Sequence, residues 1–191
     1  MADSPLIIAA RQWVIEKYPY NSYHLLKTLE WLDRLAPNAT EAMRLAALTH
    51  DMERAFPGPD QPIHCILKGF DDHEYNAAHA ARSARIVGAW LREQGTDEAL
   101  VEEVERLIRA HEDGGWAEAN LVQAADSLSF LEVNTDLFLD MIRSGKRSPE
   151  EVATKFDYTY ERIQVEWAEE LALPLYKQAK ARLAALQAER S

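Results

Sequence analysis

The stretch Asn38-Ala39-Thr40-Glu41-Ala42-Met43-Arg44-Leu45-Ala46-Ala47-Leu48-Thr49-His50-Asp51 sets the reading of the whole chain. Asn38 to Thr40 supply helix-capping side chains, and Ala42, Leu45, Ala46 and Thr49 follow at i, i+3, i+4 and i+7 spacing. The segment is therefore predicted to be a helix with a buried stripe, ending near Arg54 because Phe56-Pro57-Gly58-Pro59 cannot continue it. The same pattern recurs on both sides of it. Ser4-Pro5 opens a first helix to about Tyr18, and Asn21 or Ser22 a second that reaches Pro37. Asp71 and Asp72 cap a long helix to about Gln94, closed by Gly95. Thr96-Asp97 begin the next, which carries Val101, Val104, Leu107 and Ile108 to His111. A further helix runs from about Trp116 to Phe130 and continues, with a bend, to Ser144. Ser148-Pro149 opens the last helical region, in which Pro174 is expected to kink or split the helix.

No internal repeat and no strand-type alternation interrupts this series, so the expected fold class is all-α. The expected domain organisation is one domain over 1–191, with a core at about 20–130, an N-terminal helix and a C-terminal helical extension at about 131–191. Residues 56 to 72 read as a long proline-containing loop of the kind that often covers a site.

The 191 residues are 47% hydrophobic, enough for a real core, and the formal net charge is −11. An acidic chain with no Lys/Arg block is repelled by a nucleic-acid polymer or an anionic membrane, so neither is an expected partner. A small anionic substrate is compatible, because a metal ion and a few arginines can reverse the field locally. The single cysteine, Cys65, excludes an internal disulfide and a cysteine-rich metal site. The apolar run Leu6 to Ala10 is too short for a signal peptide or a span, and a cytoplasmic location is the default expectation.

The six histidines are His24, His50, His64, His73, His79 and His111. Four of them, His24, His50, His79 and His111, fall within predicted helices among apolar neighbours. Asp126 lies in Leu121-Val122-Gln123-Ala124-Ala125-Asp126 with Phe130 one turn ahead, so it points where Val122 and Phe130 point, inward. An unpaired charged carboxylate there would cost about 3–5 kcal/mol. Buried carboxylates are paired, protonated or metal-bound, and no base is near Asp126 in sequence, whereas histidines from other helices can reach it. The doublet His50-Asp51 brings an imidazole and a carboxylate to one place, a donor set that suits Fe, Mn, Co, Ni or Zn better than Ca. His73 reads as a solvated helix-start residue and His64-Cys65 as loop residues. The scattered tryptophans read as packing groups.

The order His24, His50-Asp51, Asp126 resembles the pattern of the HD superfamily of metal-dependent phosphohydrolases. Leu45-Ala46-Ala47-Leu48-Thr49-His50-Asp51-Met52 is similar to the helix that carries that family's His-Asp doublet, and Ala125-Asp126-Ser127-Leu128 to the segment with its last aspartate. The resemblance covers about residues 20 to 130, the family's five-helix core. It implies that His24, His50, Asp51 and Asp126 bind one metal ion. His79 and His111 stand where two-metal members add ligands, with Asp51 then bridging. One or two divalent transition-metal ions are the implied cofactors, and a small phosphorylated metabolite or nucleotide the implied substrate. The implied reaction is hydrolysis by metal-activated water, with Asp51 assisting. Arg54, Arg82 and Lys68 are candidate phosphate contacts. The segment Met52-Glu53-Arg54-Ala55-Phe56 departs from the small residue and lysine that follow the doublet in many members, which leaves the substrate open. Two alternatives carry the same residues: a di-iron oxygenase of the same fold, and a non-catalytic nucleotide-binding regulator. The amphipathic tail, with Leu171, Leu175, Leu183 and Leu186, is expected to pack on the core or on a second subunit in a homodimer.

Overall fold

The computed structural model describes residues 3–63 and 72–190, and every regular element among them is helical. The helices are α1 (Pro5–Lys17), α2 (Ser22–Leu35), α3 (Glu41–Thr49), α4 (His73–Glu93), α5 (Glu98–Arg109), α6 (Ala117–Ser129), α7 (Thr135–Arg143), α8 (Pro149–Glu161) and α9 (Glu166–Arg190).

α3 stands at the centre. Ala42 to Thr49 are all buried, on every face, because α1, α2, α5 and α6 pack around it. The stripe expected from its spacing is thus a fully enclosed helix, the behaviour of a segment that is apolar nearly all round. Its one buried charge, Arg44, is paired with Asp33 at 2.8 Å and Asp3 at 2.6 Å. α2 and α5 are amphipathic and turn Leu25, Leu29 and Leu32, or Val101, Val104 and Ile108, onto this centre.

α3 ends at Thr49, not near Arg54. The chain passes through His50 and Asp51 into a 3-10 turn, Met52–Ala55. The tighter winding changes the facing of successive side chains there, so the doublet sits at a break in the helix. α5 likewise ends at Arg109, before His111, and the turn after it closes with Gly114 at φ 69° and Gly115 at φ 123°. The bend expected between Phe130 and Ser144 is a π-helical segment, Phe130–Asn134, joining α6 to α7.

α9 continues through Pro174 without splitting. Pro174 and Glu170, whose carbonyl loses its helical donor, both lie on the exposed side, so water replaces the missing bond. The buried face of α9 consists of Ala168, Ala172, Ala179, Leu183 and Leu186 against α6, α8 and the π-helical segment, while Leu171 faces outward at 44% exposure. Small residues in its first half let α9 approach closely.

α8 begins with a complete capping box: the Ser148 hydroxyl accepts from Glu151 N at 3.1 Å, and Ser148 N donates to the Glu151 carboxylate at 2.7 Å. Ser148→Ala is expected to lower global stability by about 1 kcal/mol, read as a shift in the urea midpoint without change in slope. No described helix is long and apolar enough to cross a membrane.

Candidate metal centre

Four buried histidines come together from four parts of the chain: His24 from α2, His50 from the end of α3, His79 from α4 and His111 from the turn after α5. Their rings form a chain of neighbours, with centroids 5.5 Å apart for His24 and His50, 4.9 Å for His50 and His111, and 5.4 Å for His79 and His111.

Each ring is oriented the same way. His50 Nδ1 donates to Ala47 O at 3.0 Å, and His111 Nδ1 to Ile108 O at 2.7 Å. His79 Nδ1 donates to the Glu53 carboxylate at 2.9 Å. His24 Nδ1 lies 2.9 Å from Ser129 Oγ, whose own proton goes to His24 O at 2.8 Å, so here too the imidazole donates. With Nδ1 carrying a proton in all four, the neutral rings present their Nε2 lone pairs to one another's neighbourhood. Partners of this kind fix the tautomer and raise the basicity of a ligating imidazole.

Carboxylates meet these nitrogens. Asp126 Oδ1 is 3.1 Å from His24 Nε2 and 3.3 Å from His50 Nε2, and Asp51 Oδ1 is 2.9 Å from His79 Nε2. His79 Nε2 is fully buried and has no hydrogen-bond partner: Asp51 is near enough but out of line. A buried lone pair beside a carboxylate oxygen, neither able to donate to the other, suits a shared cation. Three sets of donor atoms lie within 4.8 Å of one another: His24, His50 and Asp126; His50, Asp51 and His111; and His79, His111 and Glu112. These groups can hold a metal ion. The C-termini of α3 and α5 end at the same cluster, and their dipoles favour positive charge there.

All six residues expected as ligands, His24, His50, Asp51, His79, His111 and Asp126, are thus in this one place. The structure adds three groups that the sequence reading did not single out. Glu112 makes His111-Glu112 a second doublet, built like His50-Asp51: each histidine follows a helix end and bonds back to the carbonyl three residues earlier. That likeness is visible in the sequence. Glu53 holds both His79 and Arg82, the latter at 3.1 Å. Arg162, at the end of α8, bonds to Asp126, to Glu112 and, at 2.9 Å, to Ser127 Oγ. Asp126 therefore has a basic partner, but one 36 residues away that no local pattern announces.

The candidate phosphate contacts separate. Arg54 lies at the cavity wall, its Nε 3.0 Å from Asp51 Oδ2 and its Nη1 3.3 Å from the Tyr75 hydroxyl. Arg82 is not among the cavity-lining residues: its Nη atoms bond to Glu53, to Phe56 O at 2.7 Å and to Asp60 at 3.1 Å, which ties down the chain after the doublet. Lys68 lies outside the described residues, as do His64 and Cys65. His73 is solvated, with 84% of its side chain exposed.

The cluster opens onto a cavity of about 410 Å³. Arg54, Arg147, Lys155 and Arg162 line it together with the apolar Phe130, Leu137, Phe138 and Met141, and Lys155 Nζ stands 5.1 Å from the Phe130 ring centre.

Electrostatics follow the same geometry. Burial opposes the charge on Asp126, but His50 and Arg162 outweigh it and hold the carboxyl well below its usual range. Burial pushes His50 down while Asp126 and Asp51 pull it up, to about 9. Burial and the neighbouring charges of His50 and His79 draw His111 down to about 4. Without an ion, a proton on His50 thus does part of a cation's work beside Asp126, and an ion must displace it, so affinity falls as pH falls. For the ion-free chain, His50 adds stability that is complete below pH 6.5 and declines as pH rises towards 9. His111, depressed in the fold, protonates first in the unfolded chain, so its contribution is lost as pH falls from 6.5 towards 4. Chelated protein is expected to resist urea best near pH 6.5 and to weaken towards pH 4.5 and towards pH 8. A midpoint rising steadily from pH 6.5 to 4.5 would contradict this.

Fold and site together define a helical protein with a buried His/carboxylate cluster able to hold metal. The chain matches the family described as a domain of unknown function (DUF4202) over residues 8–186, and it belongs to that family. No curated protein and no solved structure matches it.

Proposed function

We propose that the chain is a metal-dependent phosphohydrolase of the HD type, acting on a small phosphate ester. The observation that carries this reading is the convergence of four oriented imidazoles with Asp51, Glu112 and Asp126 at a cavity walled by Arg54, Arg147, Lys155 and Arg162. His24, His50, Asp51, His79, His111 and Asp126 would hold one or two ions of Fe, Mn, Co, Ni or Zn, the metals that imidazole with carboxylate suits. A divalent ion supplies Lewis acidity and acidifies water at neutral pH when bound.

The remaining roles belong to the chain's own side chains. Asp51 stays ionised, because although burial raises its pKa, Arg54 and His79 lower it further. It therefore serves as a ligand and not as an acid. Lys155, drawn down by burial to about 8, is the cavity cation that most readily gives up a proton near neutrality, the property a leaving alkoxide requires. Arg54 and Arg162 offer planar forks to phosphate oxygens. The apolar lining residues, Phe130 and Phe138 among them, take the organic part of the ester. Cationic and apolar side chains in one cavity suit a nucleotide or a smaller phosphorylated metabolite alike.

The test combines metal analysis of freshly isolated protein with phosphate release from a panel of monoesters and nucleotides, in air and under anaerobic conditions. Turnover is expected that disappears with chelator and persists without oxygen. Release of no phosphate from any ester with any of the five metals would overturn the reading. An absolute requirement for oxygen would replace it with an oxygenase that uses the same ligands.

A further inference from the structure

We propose that Arg162 is the anion-recognition residue of the site, binding a substrate phosphoryl group beside the metal cluster. The inference rests on the reading of that cluster as a metal centre, and its starting point is the placement of a single side chain. Arg162 stands at the end of α8, outside the region that resembles the HD core, yet it reaches the cluster and lines the cavity. Its side chain is only 8% exposed. A buried guanidinium is costly unless it is paired, and this one is paired with two acids of the cluster itself, Asp126 and Glu112.

The pairing divides each acid's work. Asp126 directs Oδ1 to His24 and His50, at 3.1 and 3.3 Å, and Oδ2 to Arg162. Glu112 directs Oε1 towards His111 Nε2, 3.7 Å away, and Oε2 to Arg162. The guanidinium is therefore fixed at the seam between ligands and cavity. Three of its N–H donors are committed, to Asp126, Glu112 and Ser127, and it also hydrogen-bonds Tyr158, whose ring stands 5.6 Å from its centre. A guanidinium has five N–H donors, so the fork can meet a further oxygen without releasing its anchors. Arg54 differs: its side chain is 37% exposed, and it pairs with Asp51. Arg162 is the deeper and more rigidly held of the two.

Charge makes the recognition conditional. Arg54 pairs with Asp51, and Arg162 with Asp126 and Glu112, so without an ion the charge of each guanidinium is already answered by carboxylates. A divalent ion held by those carboxylates adds positive charge beside the guanidinium. Phosphate recognition through Arg162 is therefore expected to be much stronger in the metal-loaded protein.

The experiment is calorimetric titration of the full chain with inorganic phosphate, alongside metal content measured by mass spectrometry. Metal-loaded wild type is expected to bind phosphate, and chelated wild type at least tenfold more weakly. R162M is expected to lose at least tenfold in phosphate affinity while retaining its metal to within twofold. R162K keeps the charge and the fold but not the planar fork, and is expected to fall between them. If turnover is available, R162K should raise KM more than it lowers kcat. Unchanged phosphate affinity in metal-loaded R162M or R162K overturns the proposal. So does equal binding by chelated and loaded wild type, or the absence of any binding to the loaded wild type. Loss of metal from both variants also overturns it, by making Arg162 a positioning residue for Asp126. Absence of ester hydrolysis alongside Arg162-dependent phosphate binding would instead sink the phosphohydrolase reading and leave this one standing.

Discussion

Replacing Asp126 by alanine is expected to strip the protein of metal and to destabilise it by about 3–5 kcal/mol, because the carboxylate serves two buried partners at once. On one side it meets His24 and His50, and on the other it neutralises Arg162, whose remaining carboxylate is Glu112. Alanine leaves that guanidinium with half of its compensation in a place that water hardly reaches. Removing a group that merely supports a ligand commonly costs 10–100-fold in metal affinity, so loss of a ligand is expected to cost at least about 100-fold. Asp126→Asn separates the two effects: it keeps the shape and one acceptor, and it should lose metal as fully while losing less stability. Metal stoichiometry after gel filtration and a urea titration of each variant provide the measurements. His73→Ala, at a solvated position, is the matched control and should change neither. Full metal occupancy in Asp126→Ala would remove that residue from the ligand set.

Chelation is expected to produce the second large effect. Ligands from α2, α3, α4, α6 and the turn after α5 meet at the cluster, so an ion there crosslinks five separate stretches of the chain in the folded state only. Binding that favours the folded state in this way stabilises it by about 4 kcal/mol when free metal exceeds Kd a thousandfold. For a chain of this size, a change of 1 kcal/mol moves Tm by about 2–4 °C, so removal of the ion should lower Tm by roughly 8–16 °C. Calorimetric scans of metal-loaded and chelated samples at fixed pH test this, and readdition of the ion should restore the original Tm. A Tm that ignores both chelator and added metal would exclude a tightly held ion at this site.

Much of the architecture was legible because helix ends carry their own chemistry. Ser4-Pro5, Thr40, Asp72 and Ser148-Pro149 cap where expected, since each satisfies backbone N–H groups of its own first turn. The bend after Phe130 was visible too. The ends of α3 and α5 were read too far, to Arg54 and His111, because Met52 to Ala55 and Ala110 have no residue that forbids a helix. Packing chose the tighter turns. The inward-facing leucines expected on the tail were partly misplaced. Alanines 168, 172 and 179 face inward instead, a choice set by how closely α9 must approach α6 and α8.

In the cluster, the sequence by itself determined the donor types and the inward direction of Asp126, because an aspartate in an apolar helical stripe has no other face to occupy. It also held the hint of a second doublet at His111-Glu112. Only the tertiary structure decided that Arg162 reaches Asp126, that Glu53 orients His79, and that Arg82 ties down the chain after the doublet. Those pairings join residues 26 to 36 positions apart, and a charged side chain chooses its partner by proximity in a poorly screened interior, where spacing along the chain carries no weight.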